Sequence, residues 1–118
     1  MKESPIFVRA FDMMMWLLPA TAKFPKEQRF ILAQRTQHAA FEFYEAITAA
    51  SLSKGREKQY LEDADIELQR LRLYLRLSHR LNFLDGRQYE HVFKMIEEIG
   101  KLLGGWTKKA GSTQPSSV

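Results

Sequence analysis

Apolar residues recur along this chain at spacings of three and four, and the pattern is interrupted at only a few points. Between the interruptions the sequence is built from Leu, Ala, Met, Glu, Gln, Arg and Lys, the residues that lose least entropy in a helix. The spacing predicts four helices, over residues 5–21, 25–52, 57–84 and 87–109. Ser4-Pro5 reads as an N-cap followed by proline at the first helical position, where the missing N–H costs nothing, and Pro25 plays the same part for the second helix. Ser53-Lys54-Gly55 predicts an end to the second helix at a residue free to take positive φ, and Asp85-Gly86 predicts a turn before the fourth. Connections this short between long helices make neighbours run antiparallel. The expected fold is therefore all-α, an up-down antiparallel four-helix bundle over residues 1–109. Residues 110–118 have little to bury and are expected to form a disordered tail.

One stretch competes with this reading. Leu71, Leu73, Leu75 and Leu77 alternate strictly with Arg72, Tyr74 and Arg76, which on its own predicts a strand. No Val, Ile or Thr occurs between residues 67 and 84, however, and no turn residue bounds the alternation. Leucine and arginine favour helix over strand, and the helix stands. On its wheel, Leu61, Ala64, Leu68, Leu71 and Leu75 form one stripe. Ile66, Leu73, Leu77, Leu81 and Leu84 form a second, at a wide angle from the first. A helix at the surface needs only one apolar stripe. The second contacts either further neighbours within the bundle or another subunit.

The fourth helix repeats the spacing with Tyr89, Val92, Phe93, Ile96, Ile99 and Leu103. Gly100 and Gly104 share one of its faces, where they would admit a close backbone unless the helix ends near Gly104.

Composition narrows the chemistry. The 118 residues contain no cysteine, which removes disulfides, thiolate zinc sites and a cysteine nucleophile. The segment from Gly100 to Thr107 has Trp106-Thr107 where a phosphate loop needs Lys-Ser/Thr, and it follows no strand. His38, His79 and His91 lie one per helix with no second His three or four residues away, so no metal site and no cofactor are expected. Serines are remote from any His-carboxylate frame, and no catalytic residue is assigned. No apolar run approaches the length of a membrane span. Glu3 and Asp12 also argue against a secretory signal ending at Ala20-Thr21-Ala22, so a cytoplasmic location is expected.

Charge restores some specificity. Lys and Arg number 18 against 14 Asp and Glu, but the imbalance is uneven: residues 1–69 sum to −1 and residues 70–118 to +5. Within the third helix, Glu57, Glu62, Asp63, Asp65 and Glu67 give way to Arg70, Arg72, Arg76 and Arg80. Dipole complementarity explains part of that reversal. It does not explain why Arg72, Arg76 and Arg80 fall at i, i+4 and i+8, a single ridge whose members repel one another. Guanidinium groups suit bidentate contact with phosphate or carboxylate. The ridge predicts binding to nucleic acid or to an acidic protein surface, with intersubunit ion pairs or a solvated face as the competing reading.

Three stretches resemble a known family. They are LLPATAKFPKEQRF at residues 17–30, LRLYLRL at 71–77 and EIGKLLGGWTKK at 98–109. Their order and layout resemble the four-helix-bundle proteins that include the accessory variability determinant of diversity-generating retroelements and the proteins encoded in intervening sequences of 23S ribosomal RNA genes. The resemblance implies a ring-shaped homopentamer with a basic surface. It further implies an accessory role, binding RNA or DNA and a partner reverse transcriptase during mutagenic copying. On that basis Arg72 and Arg76 are the first candidates for contact with nucleic acid or partner, with Lys26 and Arg80 second; Trp106 and the glycines become packing elements. The alternative is an interaction scaffold that binds protein and no nucleic acid, with the arginines meeting acids across subunits.

Overall fold

The computed structural model describes residues 4–113. They form a rod of 54 × 25 × 24 Å built from four helices: α1 (Pro5–Ala22), α2 (Gln34–Leu52), α3 (Glu57–Arg80) and α4 (Gly86–Thr113). Among the described residues there is no strand, so the alternating leucines are helical as the residue preferences required. α1 and α3 each pack against α2 and α4, which places them at opposite corners of the rod.

Side-chain contacts fix the directions. Along α1 and α4, Phe7 meets Trp106, Arg9 pairs with Glu98, and Trp16 lies against His91, so residue numbers rise on one helix as they fall on the other. Glu57 with Trp106, Arg72 with Glu97 and His79 with Tyr89 make the same descending series between α3 and α4. Phe7 with Tyr44 and Thr21 with Gln37 do so between α1 and α2. The core takes the predicted inner stripe of α3 whole, from Leu61 to Leu75, together with Met13, Leu17, Phe43, Ile47, Ile96 and Ile99.

The helix ends depart from expectation in four places. First, the chain between Pro25 and Gln34 is not plain α-helix. A 3-10 turn over Lys26–Gln28 leads into a single π-helical turn over Arg29–Ala33. Leu32 and Ala33 of this turn are buried in the core, whereas Phe30 and Ile31 are exposed. Second, α3 stops at Arg80 rather than at 84. Asn82 adopts φ 67°, a left-handed conformation that asparagine tolerates, and the N–H groups of Phe83 and Leu84 donate back to the Ser78 carbonyl at 2.8 and 3.2 Å. Leu84 is thereby folded into the core and leaves the outer stripe to which the wheel assigned it.

Third, Gly55 does not take positive φ; among the described residues only Asn82 does. The chain leaves α2 through a 3-10 turn over Lys54–Arg56 instead. Fourth, α4 runs past Lys109 to Thr113, and Ala110 is buried, so the expected disordered tail at 110–118 begins in helix; residues 114–118 lie outside the described residues. Asp85 caps the start of α4 in a reciprocal pair: its carboxylate accepts from the Gln88 N–H at 2.8 Å, and the Gln88 side chain accepts from the Asp85 N–H at 2.9 Å.

Candidate nucleic-acid and partner interface

The arginine ridge is one row on the helix but not one kind of group. Arg72 leans toward α4, where its Nη1 donates to the Glu97 carboxylate at 2.7 Å; the Arg72 side chain is 30% exposed. Gly100 makes room for this arrangement. A Cβ at Gly100 would stand 2.8 Å from Arg72 Nη2, so the face expected to admit a neighbouring backbone admits a guanidinium instead. Gly104, the other member of that pair, faces open space.

Arg76 and Arg80 are exposed and make no ion pair among the described residues. Arg76 borders a shallow groove of about 330 Å³ with Tyr89, Phe93 and Ile96. Lys26 is exposed on the 3-10 turn and is likewise without an acidic partner there. Phe24 packs against Phe83 with ring centroids 5.5 Å apart, which brings the α1–α2 connection to the same end of the rod as the end of α3. Lys26 and Arg80 therefore share that end, while Arg72 lies two turns down α3 from Arg80, roughly 12 Å along its axis.

The outer stripe of α3 is not taken up by neighbours in the bundle. Ile66, Leu73, Leu77 and Leu81 are all exposed, with Leu73 at 53%, and they point directly away from the buried stripe. Arg76 and Arg80 edge this stripe on the side of α4, and Arg70 edges it on the side of α2, held there by Glu67 at 2.6 Å.

A second outward apolar face was not singled out from sequence. Val8, Phe11 and Met15 lie on α1 opposite its buried residues Ala10, Met13 and Leu17, and Met15 is 62% exposed. Only Arg9 and Asp12 are charged between Pro5 and Ala22, and Arg9 is paired with Glu98. A helix apolar on all sides belongs inside something larger than one bundle. The signal was present as the unbroken run from Met13 to Leu18, which a fully buried helix would equally produce.

The histidines stand apart. His79 stacks on Tyr89 at 4.6 Å with its Nδ1 3.1 Å from the Leu84 carbonyl, His38 sits 3.5 Å from Glu42, and His91 lies against Trp16. Trp106 donates from Nε1 to Glu57 at 2.8 Å and ties the end of α4 to the start of α3, a packing role. Among the described residues no helix is long and apolar enough to cross a membrane.

These features define a class: an all-helical bundle whose distinctive surfaces are two lateral apolar faces and a cationic edge. Residues 6–110 match the family model described as bAvd-like. The chain belongs to that family, named for the accessory variability determinant of diversity-generating retroelements. No curated protein gives a significant match.

Proposed function

We propose that this protein is a non-catalytic accessory factor of a retroelement, assembled from several identical subunits, that binds nucleic acid and a partner reverse transcriptase during mutagenic copying. The observation that carries the proposal is the outer side of α3, where exposed Leu73 and Leu77 run beside Arg76 and Arg80, cations without an acidic partner among the described residues. Leucines of this kind are stabilised by a second subunit, and unpaired arginines by phosphate. Repetition in an oligomer, five-fold in the ring that the family resemblance implies, multiplies a charge that is modest in one chain.

The exposed leucines between the arginines favour a second reading, a scaffold in which Arg76 and Arg80 meet acidic groups across subunits, while Arg72 is already paired with Glu97 of its own subunit. Arg72 is a poor test residue, because its removal leaves Glu97 without its partner. Arg76→Ala combined with Arg80→Ala is the discriminating variant. Under the proposal it weakens RNA binding in a gel-shift titration and flattens the salt dependence between about 50 and 200 mM by roughly one unit per lost phosphate contact, with unchanged mass in light scattering. A fall in mass, with no RNA binding by the wild type or the variant, selects the scaffold.

A further inference from the structure

The most exposed aromatic side chain among the described residues is Phe30, 82% open to solvent. The core does not use it: Leu32 and Ala33 of the same π turn supply the buried contacts. Phe30 stands at the edge of a groove of about 490 Å³ between α2 and α3, lined also by Gln34, Arg35, His38 and Tyr74. Ala39, Glu67 and Arg70 complete the lining, and the last two neutralise each other at 2.6 Å. The surrounding segment, residues 23–35, carries Lys23, Lys26, Arg29 and Arg35 against Glu27 alone. Arg35 and Lys26 make no ion pair among the described residues.

We infer that this groove binds single-stranded nucleic acid, with an unpaired base stacked on Phe30 and its backbone phosphates drawn to Arg35 and Lys26. The inference rests on the nucleic-acid reading above and adds to it the strand type and a stacking residue. An exposed ring beside cations recognises single strands because only unpaired bases offer their faces, whereas a duplex hides them. A lipid surface fits less well. Acyl chains against Phe30 would bring Gln34, Arg35 and His38 of the same groove into contact with hydrocarbon and strip them of hydrogen-bond partners.

The test is fluorescence anisotropy with a labelled RNA strand of mixed sequence, alone and annealed to its complement. Phe30→Ala weakens binding of the single strand about tenfold and leaves the duplex and the salt dependence unchanged, since no charge is lost. Phe30→Trp retains single-strand affinity. Phe30 lies outside the core, and circular dichroism checks that both variants fold. Equal loss on both RNAs, or no loss on either, overturns the stacking site. Wild-type protein that binds neither RNA removes the nucleic-acid reading itself, a different failure. If Phe30→Ala instead abolishes binding to phosphatidylserine vesicles or lowers the oligomer mass, with single-strand affinity intact, the ring serves lipid or a second copy and the inference falls.

Discussion

Helices α1 and α3 stand at opposite corners of the bundle, and each is apolar on two sides, one buried and one outward. They differ in what borders the outward side. On α3 the exposed leucines run between arginines, Arg76 and Arg80 on one flank and Arg70 on the other. On α1 the exposed Val8, Phe11 and Met15 have only Asp12 and the already paired Arg9 beside them. The α1 face suits another apolar surface and little else. The α3 face suits an apolar surface along its middle and an anion along its edge. Two unlike faces on opposite sides of a subunit are what a heterologous, head-to-tail contact requires, and such a contact closes into a ring when the rotation allows.

Neighbouring leucines on α3 give the sharpest way to break this comparison. Leu71 is fully buried and Leu73 is half-exposed two residues later. Leu71→Ala lowers the unfolding free energy by about 2–5 kcal/mol in urea titration, through lost burial and a residual cavity. Leu73→Ala changes it by about 0.5 kcal/mol or less at protein concentrations low enough to hold the monomer. Equal losses at the two sites would mean that the outward face is not outward.

Assembly comes next in size. Phe11→Ser with Met15→Ser removes one face, and Leu73→Ser with Leu77→Ser removes the other. Each double variant is expected to fall to the mass of a single subunit in light scattering. Mixed together they regain a dimer, because each supplies the face that the other lacks. A mixture that stays monomeric would show that the two faces do not meet each other.

The smallest effect separates two glycines of α4. Gly104→Ala raises stability by about 1 kcal/mol in thermal or urea unfolding, since alanine favours helix and meets nothing there. Gly100→Ala gains less, because its methyl group pushes the Arg72 guanidinium away from Glu97. Equal gains would remove Gly100 from the support of that ion pair.

The inner stripe of α3 was legible because five apolar residues at helical spacing have only one way to be buried, and the four-helix layout followed from turn residues at the expected places. The outer stripe was legible as an excess of leucine, but whether bundle or subunit would cover it depended on how the helices stand around each other. The α1 face was hidden for the opposite reason: a continuous apolar run carries no periodicity that marks a bare side. Arg72 looked equivalent to Arg76 because spacing along one helix says nothing of Glu97, 25 residues further on. Phe30 was legible as exposed, since a regular wheel through Thr36, Ala40, Phe43 and Ile47 sets it well away from the buried stripe, but nothing in the spacing marks an exposed ring as a binding group. The end of α3 was set four residues late because the turn was expected at Asp85-Gly86, whereas Asn82 takes the left-handed position that ends the helix.

The rod is about twice as long as it is wide. Subunits joined along their flanks would bring all their Lys26–Arg35 tips to one rim, at one height and at equal intervals. A flexible polymer bound at one tip would then find the next within a short reach, so occupancy would spread around the circumference as a series of weak, exchangeable holds rather than a single tight one.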